Sequence, residues 1–378
     1  MRKVFWGSLA ALAWTHVGYP AAAAVAARVA PRPVRREDIL PTVTVIVAAH
    51  NEEDVIARRV ENLLALDYPA ELVEVVVASD ASDDGTHEIV CAIARRELRV
   101  SLLECPRGGK VAAQNLAVAQ SAADVVAFSD ANTTWAPDAL RKLVRAFADP
   151  DVAYCCGRLV LEAADGTNVE GAYWRMETWL REQESETGSI TGGNGSIYAV
   201  RRSDYVDVDT RFGHDLSFPY LMVQRGRRAV YDAAALAFEK PTPDVEDEYR
   251  RKVRMFEHGW LMLHQGRMLE RLPPVYLVKL VSHRYLRYGS GVLHLALAGS
   301  SFLLARRGGI YRLAWLGHLA FFAEAARRPG MARYYTLVTW GTVESLKNYL
   351  DRGVPAVWNK APGTRVREID EITTEELL

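Results

Sequence analysis

Four clusters of polar residues punctuate the first half of the chain: His50–Asn51–Glu52–Glu53, Asp80–Ala81–Ser82–Asp83–Asp84–Gly85–Thr86, Arg107–Gly108–Gly109–Lys110 and Ser129–Asp130–Ala131–Asn132. Three of them end a short apolar run and the third opens a helical one. Carboxylates such as Glu52 and Asp80 can accept hydrogen bonds from the N–H of a base ring or from ribose hydroxyls. Asp130, at the end of an apolar run, can hold Mg²⁺ or Mn²⁺, hard cations that take one or two carboxylates and leave the rest of their shell to water and phosphate. Lys110 follows two glycines at a helix start, where backbone N–H groups and an ammonium together suit phosphate. Taken together, the four clusters describe a pocket for a nucleoside diphosphate. Taken singly they are weaker, since Asp83 and Asp84 also suit a turn or a helix cap.

Other nucleotide and hydrolase motifs are missing from the sequence. No G-x-G-x-x-G follows the first apolar run, and Gly108–Gly109–Lys110 lacks the earlier glycine and trailing hydroxyl residue of a P-loop. No G-x-S-x-G elbow is present. A net charge of −1 provides no basic field for nucleic acid. Cys91, Cys105, Cys155 and Cys156 form no C-x-x-C pair and read as reduced thiols rather than as metal ligands or a disulfide framework.

The elements that must position these clusters alternate in type. Strands are predicted at Thr42–Val47, Val73–Ala78, Val100–Leu103 and Val125–Phe128, with helices at Val55–Leu66, Thr86–Arg96 and Val111–Ala119 between them. Short buried strands separated by helices imply an α/β fold, a Rossmann-like, mostly parallel sheet covered on both faces. Ligands of such sheets lie beyond the carboxyl ends of the strands, where the polar clusters fall.

Both ends of the chain are apolar. Val4–Val29 is long enough to cross a bilayer, and Arg28, Arg32, Arg35 and Arg36 outnumber Arg2 and Lys3, which places the following domain in the cytoplasm. Beyond Pro273–Pro274 the segments Gly289–Ala305, Leu313–Ala326 and Tyr334–Leu350 suit short spans or interfacial helices. The expected division is an N-terminal transmembrane anchor (1–37), a catalytic domain (38–270), and membrane-associated helices with a polar tail (271–378).

With these motifs in order, the chain resembles the family 2 glycosyltransferases, which have the GT-A fold. The likeness runs from about Pro41 to Gln265. It includes Val45–Ile46–Val47–Ala48–Ala49–His50–Asn51–Glu52–Glu53, the Asp80–Thr86 cluster, Gly109–Lys110 and Asp130–Ala131–Asn132. Further along come Gly193–Asn194–Gly195–Ser196, Gly213–His214–Asp215–Leu216 and Tyr249–Arg250–Arg251–Lys252–Val253–Arg254. The resemblance implies that Glu52 and Asp80 hold the nucleoside, with uridine favoured, and that Lys110 and Arg254 meet the diphosphate. Asp130 and Asn132 would be the metal pair, with Asn132 standing where the family has a second acid. Asp215 would be the catalytic base, with Asn194, Gly195 and His214 on the acceptor side. Taken by itself, Asp215 also reads as the N-cap of a helix over Leu216–Arg225.

The implied activity is inverting transfer of a sugar from a nucleotide-diphosphate sugar to a glycan or lipid-linked acceptor at the plasma membrane, within cell-envelope polysaccharide biosynthesis. A processive polysaccharide synthase is disfavoured, because Arg251 and Met255 stand where processive enzymes carry Gln and Trp. A non-catalytic sugar-nucleotide-binding membrane protein draws support from Asn132 and His214, which both replace acids. Nucleotidyl transfer on the same fold would leave Asp215 without a task.

Overall fold

The structure, a computed structural model, describes residues 1–161, 170–240, 245–328 and 330–354. The acidic end of the polar tail lies outside the described residues. Eight strands form one sheet: β1 Val43–Ala49, β2 Val73–Asp80, β3 Val100–Cys105, β4 Val125–Asp130, β5 Thr134–Trp135, β6 Val152–Leu161, β7 Tyr198–Arg201 and β8 Arg228–Glu239. Their spatial order is β3-β2-β1-β4-β7-β6-β8-β5. The first four strands are mutually parallel, and β6 is parallel to β8, while β7 and β5 run antiparallel to their neighbours. The parallel pairing of the first four strands is what the βα alternation predicts. The reversed strands lie beyond the region where the sequence alternates clearly.

Period-2 alternation sends successive strand residues to opposite faces. Val45 and Val47 belong to one apolar cluster, shared with Ile56, Val60 and Leu140, whereas Ile46 belongs to another, shared with Val118 and Phe218. Helices therefore cover both faces, and the strands read as near-continuous Val and Ala. β1 lies between β2 and β4, with Ala49 level with Ser79 and Ala48 level with Asp130. Three carboxyl ends are thus brought side by side where the strand order reverses, the position at which open α/β sheets bind ligands.

The helices are α1 Arg2–Ala13, α2 Tyr19–Val29, α3 Ile56–Leu64, α4 Thr86–Ala94, α5 Lys110–Gln120, α6 Ala139–Val144, α7 Glu170–Glu186, α8 His214–Gln224, α9 Val245–Gln265, α10 Pro274–Leu280, α11 Leu286–Tyr288, α12 Ser290–Leu304, α13 Gly309–Arg327 and α14 Met331–Arg352. A π turn joins α1 to α2, giving one helix, Arg2–Val29, long and apolar enough to cross a membrane. Pro274–Tyr288 and Ser290–Arg307 meet that criterion only as a pair, bent by 64° at the break. Phe5 and Leu12 pack on Leu297 and Leu304, so the two apolar ends of the chain meet.

The arginines after the first helix also dock onto the sheet domain. Arg36 pairs with Asp232 at 3.2 Å, Arg32 with Asp151, and Arg228 donates to the Arg32 carbonyl. Of the four cysteines, all free, Cys105, Cys155 and Cys156 are buried and Cys91 is half-buried.

Candidate active site

Two neighbouring hollows lie at the carboxyl edge of the sheet, and Lys110 stands on the wall they share. The first is lined by His50, Glu52, Asp80, Arg107, Lys110 and Asp130 among others. The second includes Gly195, Tyr198, His214, Asp215 and His258.

The first hollow is built by loops that tie to one another. Asn51 and Ala81, at the ends of β1 and β2, take left-handed backbone with φ of 56° and 53°. Asn tolerates this conformation, whereas for Ala it costs roughly 1–2 kcal/mol, a local strain of the kind that gathers at functional sites. The Asn51 and Asp83 pairing holds the two loops together, since Asn51 Nδ2 donates to Asp83 at 2.6 Å and Asp83 N donates back to Asn51 at 2.9 Å. Asp84 accepts from Thr86 N at 3.0 Å, at the start of α4. Asp83 and Asp84 thus do the turn and cap work that their types allow.

Asp80 is buried, and its carboxylate accepts from the backbone amides of Gly108 at 2.7 Å and Gly109 at 3.0 Å and pairs with Arg107. It therefore organises the loop that presents Lys110. Gly109 has φ of 89°, a conformation that a side chain would strain, and it turns the chain into α5 so that Lys110 is the first helical residue. Glu52 is 5% exposed on the wall of the same hollow, with its amide donating to Thr86 Oγ1 at 2.9 Å.

Lys110 Nζ is ion-paired with Asp130 Oδ1. Removal from water alone would lower its pKa. The Asp130 carboxylate, reinforced by Asp215 and Glu239, outweighs that and holds it above the usual lysine value. The pairing shows a cation seated at Asp130. Glu239, at the end of β8, is a second acid close enough to feel it: burial first, and then the Asp130 charge, push the Glu239 carboxyl up. Two carboxylates that repel each other beside an ammonium make a donor set suited to a hard divalent ion. Among the described residues no three His, Cys, Asp or Glu side chains enclose a metal position. A bound ion would therefore draw on diphosphate and water as well. Asn132 lies two residues past Asp130 in the turn, half-exposed.

In the second hollow, α8 begins at His214 with Gly213 as its N-cap. Asp215 is thus inside the first turn, not at the cap. Its carbonyl accepts from Gly193 N at 2.7 Å. Gly193 has no room for a side chain: a Cβ there would overlap the Tyr154 hydroxyl and come within 2.8 Å of the Asp215 carbonyl. A Cβ at Gly195 would lie 3.8 Å from both the Asp215 carboxylate and Lys110 Nζ, so those two groups flank the same glycine.

Asn194 turns its carboxamide inward, donating to the Gly157 carbonyl at 3.2 Å and accepting from Ser196 N at 3.0 Å. His214 is buried among Phe128, Tyr205 and Phe218 and lies 3.1 Å from the Tyr198 hydroxyl. Burial, with Lys110 adding to it, pushes the imidazole down to about 3, so the ring is neutral. Arg254 lies on α9 four residues before His258, which lines the second hollow, and its carbonyl contacts His258 Nδ1 at 2.9 Å.

Three residues of the site carry no assignment from sequence. Arg107 engages Asp80, His258 lines the second hollow, and Glu239 accepts hydrogen bonds from Thr133 at 2.7 Å and from Ser196. Glu239 had a usable signal, since it is a polar residue ending an apolar strand like three of the four clusters. Trp174 Nε1 donates to the Leu159 carbonyl at 2.9 Å, and the Trp260 ring lies against Tyr288.

Residues 44–208 match the family model described as Glycosyl transferase family 2. The chain is similar to a beta-monoglucosyldiacylglycerol synthase of Synechocystis, 33% identical over 174 residues, covering 44% of this chain and 36% of that one. It is also similar to a poly-beta-1,6-N-acetyl-D-glucosamine synthase of Staphylococcus aureus, 25% identical over 234 residues, covering 59% and 55%. The chain thus spans from about a third to just over half of the length of these relatives. Among solved structures, a mannosyltransferase from Pyrobaculum calidifontis in complex with GDP-Man and Mn²⁺ superposes with a TM-score of 0.72 over 92% of this chain and 99% of that one, at 24% identity. That superposition establishes the fold. Over residues 44–208 this chain is therefore similar to glycosyl transferase family 2, and its fold is the GT-A fold that it shares with the solved mannosyltransferase.

Proposed function

We propose that this protein is an inverting glycosyltransferase that moves a sugar from a nucleotide-diphosphate sugar, with UDP-sugars favoured, to a glycan or lipid-linked acceptor. The observation that carries the reading is the position of Lys110 between two hollows, with Glu52, Asp80 and Asp130 on one side and Asp215 on the other. Lys110 at the head of α5 would meet the diphosphate, and Asp80 would keep the Gly108–Gly109 loop in place behind it. Asp130 and Asn132, with Glu239 behind them, would hold Mg²⁺ or Mn²⁺, which supplies charge neutralisation for the departing diphosphate. Asp215 would take the proton from the acceptor hydroxyl as its oxygen attacks the anomeric carbon on the face opposite the leaving group, which inverts that centre. Arg254 would reach the diphosphate from α9.

Relatives named as sugar transferases support this reading, as does a similar fold solved with a nucleotide sugar and Mn²⁺. The helix Arg2–Val29 supports attachment to the plasma membrane, with the sheet domain on the cytoplasmic side and its acceptor presented there. Incubation of detergent-solubilised protein with UDP-, GDP- and dTDP-sugars and Mg²⁺ or Mn²⁺ tests the proposal. Metal-dependent release of nucleoside diphosphate from one donor is expected, and it should be abolished by Asp130→Ala and by Asp215→Asn. Release that survives both substitutions would overturn the residue assignment. Failure to bind any donor by calorimetry would overturn the activity.

A further inference from the structure

A heavily charged buried cluster lies outside the two hollows. Glu177 and Glu184 on α7 face Lys279, His283, Arg284 and Arg287, which come from the continuous helical segment Pro274–Tyr288. Glu184 and His283 are fully buried and 2.8 Å apart. Burial alone would raise the Glu184 carboxyl, but His283, Lys279 and the Tyr19 hydroxyl together hold it down to about 2. Taking so many charges out of water is costly, and a well-packed apolar interface often serves stability as well. A buried network retained at such a position therefore invites a reading beyond simple adhesion.

What the network grips is the loop from α7 to β7. Four successive residues of that loop meet the helix. Lys279 Nζ donates to the Ser189 carbonyl at 3.3 Å, and the Tyr276 hydroxyl donates to the Ile190 carbonyl at 2.9 Å. Arg284 Nε donates to Thr191 Oγ1 at 3.2 Å, and the Thr191 amide donates to Glu184 at 2.9 Å. The Arg284 guanidinium lies against Gly192, where a Cβ would overlap it. The next residue is Gly193, whose amide holds the Asp215 carbonyl at 2.7 Å.

We propose that the charged face of Pro274–Tyr288 is a positioning element of the catalytic centre: Lys279 and Arg284 fix Ser189–Gly192, and Gly193 passes that constraint to the backbone of Asp215. The inference rests on the reading of Asp215 as the catalytic base. The catalytic unit then extends past residue 270 into the segment that begins at Pro274, and the expected boundary between catalytic and membrane-associated parts moves with it. Neither Thr191 nor Arg284 lines either hollow, so their route to Asp215 is the loop.

The test uses the full-length protein in lipid nanodiscs and three variants. Thr191→Val removes the hydroxyl at nearly constant shape, Thr191→Ser restores it, and Arg284→Gln removes the charge. Hydrogen exchange at the amides of residues 191–195 and 213–217 is read alongside UDP affinity with Mn²⁺ by calorimetry and nucleotide release from UDP-glucose, UDP-N-acetylglucosamine and GDP-mannose. Thr191→Val and Arg284→Gln are expected to speed exchange at Gly193. Turnover should fall about ten- to a hundredfold, the scale of a slight misplacement of a catalytic group. UDP affinity should stay within about twofold, and Thr191→Ser should recover both exchange and turnover.

Unchanged exchange at Gly193, or wild-type turnover in Arg284→Gln, would overturn the proposal. A parallel loss of UDP affinity would overturn it too, by moving the effect to the donor side. If exchange responds as expected but wild-type protein releases no nucleotide from any donor, the clamp on Asp215 stands and the glycosyl-transfer reading falls.

Discussion

Lys110 is ion-paired with Asp130 at the junction of the two hollows, so the ammonium sits on the carboxylate proposed to hold the metal. A divalent ion and the lysine would then compete for Asp130 until a diphosphate arrives to engage both. Lys110→Met is expected to tighten Mn²⁺ binding to the nucleotide-free protein several-fold. The same change should weaken UDP binding in the absence of metal by roughly tenfold or more, the usual worth of a hydrogen bond to a charged group. Calorimetric titrations with Mn²⁺ alone and with UDP alone check the two arms. Weaker Mn²⁺ binding in the variant would show that the lysine supports the metal site instead of competing for it.

Glu239 joins two loops of different origin, because Thr133 follows the Asp130 turn and Ser196 follows the Gly193–Gly195 turn. Glu239→Ala leaves two hydroxyls without their acceptor and is expected to lower stability by about 1–3 kcal/mol, the desolvation cost of groups left unsatisfied. Glu239→Gln keeps an oxygen acceptor and should recover most of that loss. Denaturant midpoints of the three proteins measure it. Equal midpoints for the alanine and glutamine variants would show that charge, and not the bridge, is what Glu239 provides.

The first hollow was largely legible from the sequence, because its residues follow one rule: polar groups at the ends of parallel, valine-rich strands. Asp80 and Asp130 converge for that reason, and Lys110 joins them from the start of the helix after β3. The second hollow draws on elements with weaker local signals, among them the four-residue strand Tyr198–Arg201 and the start of α8. Family resemblance, not periodicity, singled out Asp215 there. Asn194 and His214 were assigned to the acceptor side by the same route, yet their side chains point into the protein, to Gly157 and to Tyr198. Residue type fixes what a side chain can bond, but its direction is set by packing against elements distant in sequence. Long-range contacts also account for the arginines near residue 36 and for the charged face of Pro274–Tyr288. The first read locally as a membrane signal, and both are partners of acids on the sheet domain.

The close approach at Gly193 makes a sharp demand on sequence. Gly193→Ala would set a methyl group against the Tyr154 hydroxyl and within 2.8 Å of the Asp215 carbonyl. Overpacking of this kind typically costs about 1–3 kcal/mol, and here it also displaces Asp215. Adding Tyr154→Phe removes the hydroxyl but leaves both the ring and the carbonyl in place. The double variant should therefore regain part of the stability, measured by thermal unfolding, and little of the nucleotide release. Full recovery of release would mean that the Gly193 contact does not constrain Asp215.

His214 links the site to pH. Its folded pKa is pushed down to about 3 from 6.5, by burial first and by Lys110 second. The unfolded chain therefore binds a proton below pH 6.5 that the folded chain refuses. The stability associated with this group is fully present above 6.5 and is lost as pH falls from there towards 3. At pH 5 the loss amounts to about 2 kcal/mol, from 1.36 kcal/mol per pH unit below the unfolded value. His214→Gln removes the titration while keeping a polar side chain beside Tyr198. Its overall stability is expected to be lower at pH 7, but the further drop on acidification to pH 5 should be smaller than in wild type by that amount. Denaturant unfolding at the two pH values gives the comparison, since groups other than His214 contribute equally to both proteins. An identical drop in wild type and variant would mean that the imidazole accepts its proton in the folded state, and that the hollow beside Asp215 admits water more freely than the packing of Phe128, Tyr205 and Phe218 allows.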